Sequence, residues 1–96
     1  MTDNNDKIRV HIFISERVQG VLFRVGTRRK ARKLGLYGFV QNLSDGRVEA
    51  VLEGKKEKVE KLIEWAKRGP FFAKVDSIEI KEEEYQGEFD NFEIKY

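Results

Sequence analysis

Residues 8 to 14, IRVHIFI, alternate. Ile8, Val10, Ile12 and Ile14 fall on one side of an extended chain and Arg9, His11 and Phe13 on the other, the period of a half-buried strand. The period then changes. Phe23, Thr27, Ala31 and Leu34 recur at spacings of four, four and three, an apolar stripe on one side of a helix. Gly35 stands where a C-cap glycine belongs. YGFVQNL returns to alternation, with Tyr37, Phe39, Gln41 and Leu43 opposite Val40 and Asn42. Ser44-Asp45-Gly46 is turn chemistry, and RVEAVLE after it puts Val48, Ala50 and Leu52 on one side, so the two runs predict a hairpin. Residues 55 to 68 predict a second helix: Val59, Leu62, Ile63 and Ala66 sit at i, i+3, i+4 and i+7, and Gly69-Pro70 stops it. KVDSIEI predicts a fourth strand, EEEYQGEFD a charged connection, and NFEIKY a short last strand with Phe92, Ile94 and Tyr96 in step.

The predicted order is β-α-β-β-α-β with an extra C-terminal strand. A mainly antiparallel sheet with two helices on one face is the expected α+β architecture, a ferredoxin-like α/β sandwich. Residues 1 to 6 are polar and expected to be disordered, and residues 7 to 96 form a single domain. At this length the chain buries roughly two thirds of its unfolded surface, enough for one layered core.

Composition narrows the chemistry. The chain has no cysteine, so disulfides, thiolate nucleophiles and cysteine-bound metals are excluded, and its one histidine, His11, has no histidine partner for a metal site. No serine has a histidine and an acid in plausible order for a triad. No apolar run approaches the ~20 residues of a membrane span, and no charged-then-apolar leader precedes the first strand, so the expected compartment is the cytoplasm. Net charge is only +2, but residues 1 to 48 hold ten Lys/Arg against four Asp/Glu while residues 49 to 96 hold nine against thirteen. An anion is drawn to the first half. High Lys and Glu content with one Met suits a heat-adapted protein.

The stretch SERVQGVLFRVGTRRKARKLG joins the first strand to the first helix and carries most of that positive charge. Successive backbone N–H groups around Gly20 can converge on an anion, the helix dipole adds to them, and Arg24 stands in the first turn with a fork suited to phosphate oxygens. From spacing alone, a plain strand–helix connection with one glycine for the bend is the commoner meaning. The run Arg28, Arg29, Lys30, Arg32 and Lys33 reads as a solvated helix face, its cations well placed toward the helix C-terminus. RNA binding is the second reading, because many ferredoxin-like domains bind RNA. Against it, RVEAVLE has no aromatic residue with which to stack a base. The acid run Glu82-Glu83-Glu84 reads as a solvated strand end.

Two motifs together are more specific than either. RVQGVLFR resembles the acylphosphatase signature G-R/K-V-Q-G-V-x-F-R, and GFVQNLSDGRVEAVLEG resembles that family's G-x-V-x-N-L-x-D-G-x-V-E-x-x-x-x-G. They occur in order, and the resemblance extends over about residues 8 to 95. It implies a hydrolase that cleaves acyl phosphates to carboxylate and inorganic phosphate without a metal or other cofactor. It implies that Arg24 holds the phosphate with the backbone N–H groups of Val18, Gln19, Gly20, Val21, Leu22 and Phe23, and that Asn42 orients the attacking water. Without the first motif, Asn42 would read as a cap on the Ser44-Asp45-Gly46 turn. Inorganic phosphate is then the product and an expected inhibitor, and the chain is expected to be a monomer.

Departures from the family pattern bear on rate and affinity more than on reaction type. Glu16 stands where the family usually has glycine, Leu22 at a variable position, and Gly26 in the first helical turns, where glycine costs up to ~1 kcal/mol against alanine. Phe71-Phe72 follows Gly69-Pro70 as a candidate apolar patch. Two rivals follow: an RNA- or anion-binding module of the same fold with weak or no turnover, and a family member whose cradle Glu16 and Gly26 have damaged.

Overall fold

A computed structural model describes residues 6–16, 21–68 and 75–95. Strand β1 (Lys7–Glu16) is followed by helix α1 (Val21–Lys33), the hairpin β2 (Tyr37–Asn42) and β3 (Val48–Lys55), helix α2 (Lys56–Arg68), β4 (Val75–Glu83) and β5 (Phe92–Ile94). The sheet order is β4-β1-β3-β2-β5. β1 lies antiparallel between β3 and β4, β2 is antiparallel to β3, and β5 joins β2 in parallel. This is the expected ferredoxin-like arrangement.

Register decides which side chains meet. Ile14 opposes Val48, Ile12 opposes Ala50 and Val10 opposes Leu52, while Val48 and Ala50 also oppose Asn42 and Val40 of β2. These residues share the helix-covered face, and the apolar ones are buried there with Phe23 and Ala31 of α1 and Val59, Leu62, Ile63 and Ala66 of α2. Each helix therefore forms because its apolar stripe has a sheet to cover. α1 closes on the two hydrogen bonds of a Schellman motif, Leu36 N–H to Ala31 O (2.8 Å) and Gly35 N–H to Arg32 O (3.1 Å). Gly35 supplies the positive φ of 74° that such an ending requires.

The other face is not bare. The connection between β4 and β5 crosses it and is fastened to Glu53, a carboxylate only 2% exposed. The N–H groups of Gln86 and Gly87 donate to Glu53 Oε2 at 3.0 and 3.2 Å, and that of Glu88 to Oε1 at 3.1 Å. Arg9 Nη1 also donates to Glu53 Oε2, at 3.2 Å, and Arg9 reaches Glu83 and Glu88 as well. Phe89 then packs edge-on against Phe39. Glu83 is thus more than a solvated strand end, because β4 runs on through it and sets it beside Arg9 and His11. His11 Nε2 meets Glu49 across β1 and β3, and Gln41 donates to the same carboxylate.

Two outcomes follow. Glu53→Ala leaves the connection's N–H groups without their acceptor and is expected to lower stability by about 3 kcal/mol in urea unfolding; a loss below ~1 kcal/mol would mean that other contacts hold the connection. The Arg9 hydrogen bond holds Glu83 below the ordinary glutamate pKa, outweighing desolvation. At Glu49 burial pushes upward, and the hydrogen bonds of Gln41 and His11 bring the net shift below ordinary. The unfolded chain then binds more protons in acid, so this stability is present above the ordinary value and is lost as pH falls through the lowered ones. Stability should therefore drop between about pH 5 and pH 3, and less steeply in Glu83→Gln; identical slopes would remove Glu83 from the account.

Candidate active site

The two residues singled out by the sequence lie in different elements, and strand pairing brings their elements to one end of the sheet. Ile14 and Asn42 flank Val48 in a single row, so their Cα atoms are about two strand spacings, roughly 10 Å, apart. β1 ends two residues after Ile14, and α1 begins at Val21 from that same end. Arg24 is in the first turns of α1. Asn42 shares the face of Val48, the helix-covered face, at this same end of the sheet.

The loop is shorter than the sequence suggests. Val21, Leu22 and Phe23 belong to α1 rather than to the connection. Their N–H groups nonetheless have no intrahelical carbonyl to bond, because the first turn of any helix leaves its donors over. They remain suited to an anion. Val18, Gln19 and Gly20 lie outside the described residues, as does Arg17. Phe23 contributes only backbone: its side chain is buried in the core and tilted against the ring of Trp65, with centroids 6.0 Å apart. Thr27 Oγ1 donates to Phe23 O at 2.8 Å, fixing the first turn from within. Arg24, one residue further round, is half-buried with its Nε enclosed.

Asn42 does not cap the hairpin turn. That role belongs to Asp45, whose Oδ1 accepts from Arg47 N–H at 3.0 Å and whose Oδ2 accepts from Arg47 Nε at 2.9 Å. These bonds, the backbone one first, hold the Asp45 pKa below its ordinary value. The backbone closes beneath them, Leu43 N–H to Arg47 O at 2.8 Å. Asn42 Oδ1 is buried and meets no donor among the described residues. A buried amide oxygen left over in this way carries a cost unless something binds it, and its position at the end of the sheet suits an incoming hydrogen-bond donor such as water.

The remaining candidates fall elsewhere. Arg32 Nε donates to Phe92 O at 3.1 Å, so one cation of the basic run holds β5 to α1. Gly26 lies within α1, and the helix runs unbroken through it. Glu16 ends β1 opposite Val75, where the register shifts, and Phe71-Phe72 lies outside the described residues. Among the described residues no three His, Asp or Glu side chains are grouped to hold a metal ion, and no helix is long and apolar enough to cross a membrane. Sequence reading missed Asp45 as the turn's cap, although an aspartate two residues before an amide it can accept from is a recognised turn signal.

A ferredoxin-like sandwich with a helix start, an arginine and a strand-end asparagine toward one end is a small α+β domain. The Acylphosphatase family model matches residues 10–94. An acylphosphatase of Syntrophobacter fumaroxidans is 48% identical over 91 residues, covering 95% of this chain and 94% of its own. The crystal structure of acylphosphatase from Bacillus subtilis superposes with a TM-score of 0.88 at 36% identity, covering 93% of this chain and 99% of that one. Thermococcus kodakarensis HypF superposes with a TM-score of 0.77 at 40% identity, and there the match covers 93% of this chain but 12% of the larger protein. The chain belongs to the acylphosphatase family.

If Asn42 is kept for chemistry, its truncation should cost the fold little. Asn42→Ala is expected to change unfolding stability by less than ~1 kcal/mol. A loss of 2 kcal/mol or more would instead mark it as a structural amide.

Proposed function

We propose that the chain hydrolyses acyl phosphates, the mixed anhydrides of a carboxylic and a phosphoric acid, at the end of the sheet where α1 begins. The observation that supports this reading is the single row Ile14–Val48–Asn42, which puts Asn42, with its leftover amide oxygen, at the end of the sheet from which α1 starts. In this proposal the phosphoryl group sits on the N–H groups of residues 18 to 23, and Arg24 neutralises its equatorial oxygens. Asn42 Oδ1 accepts a hydrogen bond from the attacking water and holds it in line. The water oxygen bonds to phosphorus as the phosphorus–acyl oxygen bond breaks. The carboxylate leaves with that electron pair, and the water's proton passes to a phosphoryl oxygen.

The chemistry suits so small a set of groups. A carboxylate is a good leaving group and needs no strong general acid. Phosphoryl transfer rests mainly on positioning and on stabilising charge on the equatorial oxygens, so an arginine and several N–H donors suffice without a metal or other cofactor. Phosphate, as product, should compete for the same cradle. The chain is read as a monomer working in the cytoplasm. RNA binding has less support, because on the open face Phe13 already stacks on His11, and Phe39 is met edge-on by Phe89 and covered by Lys95.

The test is release of carboxylate from a simple acyl phosphate in the presence of a chelator. The natural chain should turn over, Arg24→Gln and Asn42→Ala should each lose about 10²–10³-fold in kcat, and inorganic phosphate should inhibit competitively. Background turnover by the natural chain, together with tight salt-dependent binding of an oligonucleotide, would replace the enzyme with a binding module.

A further inference from the structure

The opposite end of the sheet carries a cavity of about 460 Å³ that the proposed hydrolysis does not use. That volume falls within the range of small-molecule sites, roughly 300–1,000 Å³. Its walls come from four places in the chain: Lys7 at the start of β1, Lys55 and Lys58 at the β3–α2 junction, Tyr37 at the start of β2, and Tyr85 and Phe89 from the connection over the open face. Lys7 pairs with Lys55, seven residues along the strands from the Ile14–Val48 row, so roughly 23 Å separates the two ends.

The lining has a definite chemical character. Lys7, Lys55 and Lys58 make no ion pair among the described residues; Lys7 Nζ instead lies 5.6 Å from the centre of the Tyr85 ring. The one carboxylate in the wall, Glu53, is already committed to Arg9 and to N–H groups of the connection. Three ammonium groups therefore share a wall that has no carboxylate to spare, although Lys55 also borders Asp6, Glu57 and Glu60 on its other side. Beside them Tyr37, at the start of β2, is a large ring 45% exposed. Cations fix an anionic group, and aromatic faces accept a flat ring.

We propose that this cavity is a second ligand site, for an aromatic anion of about mononucleotide size, its ring against Tyr37 and Tyr85 and its phosphate or carboxylate on Lys7, Lys55 and Lys58. It holds no nucleophile or base placed for chemistry, so the site binds without reacting. A ligand there leaves the distant phosphate cradle open.

The experiment is a titration of the full-length, isotope-labelled chain with adenosine monophosphate, followed by amide chemical shifts. Ribose 5-phosphate and adenosine serve as arms that lack the ring and the charge. The expected shifts cluster at Gly35, Gly54, Lys55 and Tyr85, with each arm binding at least ~10-fold more weakly. Lys55→Glu/Lys58→Glu should lower affinity for adenosine monophosphate by ~10-fold or more, with its spectrum unchanged away from the cavity. Shifts confined to residues 21 to 24 and 42, ribose 5-phosphate binding as tightly as the nucleotide, affinity unmoved by the double substitution, or no binding at millimolar ligand would each overturn the proposal.

Discussion

The pairing of β1 with β3 is the constraint on which the rest of the molecule depends. It joins the two β-α-β halves of the chain, and its register of Ile14 with Val48 and Lys7 with Lys55 fixes both ends of the sheet at once. A slip of one residue would turn Val10, Ile12 and Ile14 from the helix-covered face to the open one, leaving α1 and α2 nothing to cover. The same slip would shift Asn42, through β3, relative to the end of β1 from which the chain enters α1. Core and site are therefore specified by one set of hydrogen bonds, and a chain that buries its core has also brought its site elements together.

Glu53 plays the matching part on the second face. An antiparallel sheet can leave one face in water, yet here a charged connection is drawn across it by a buried carboxylate. Burial of that charge is tolerable because Arg9 and the N–H groups of Gln86, Gly87 and Glu88 all point at it. With the connection in place, Phe89 covers Phe39 and Tyr85 closes one wall of the cavity at the far end. Helix packing thus serves the end that carries Arg24 and Asn42, while ion pairing organises the opposite face and the opposite end.

Much of this was legible in the chain. The recurrence of Ile8, Val10, Ile12 and Ile14 at every second residue and the four-four-three spacing from Phe23 to Leu34 each admit one period, so strands, helices and the face of Asn42 follow from local rules. The start of α1 was harder to read. Gln19 and Gly20 supply no Ser, Thr, Asp or Asn cap, and the apolar run Val21-Leu22-Phe23 reads equally as loop or helix. Glu83 and Glu53 were opaque for a different reason. Their partners lie 33 or more residues away in sequence, and no local pattern distinguishes a glutamate that will be buried beside Arg9 from one left in solvent. Asn42 was legible only through the paired motifs, since an asparagine before Ser44-Asp45-Gly46 looks like a turn cap until Asp45 is seen in that role.

In the proposed reaction Asn42 and the start of α1 address one phosphate group. The most direct measurement is a titration of the isotope-labelled chain with inorganic phosphate, following the backbone amides of residues 18 to 24 and the side-chain amide of Asn42. Both sets of signals should move together with a single dissociation constant, and Arg24→Gln should weaken both alike. If the helix-start amides respond while the Asn42 side chain stays still, or if it follows a different constant, the two do not share a site.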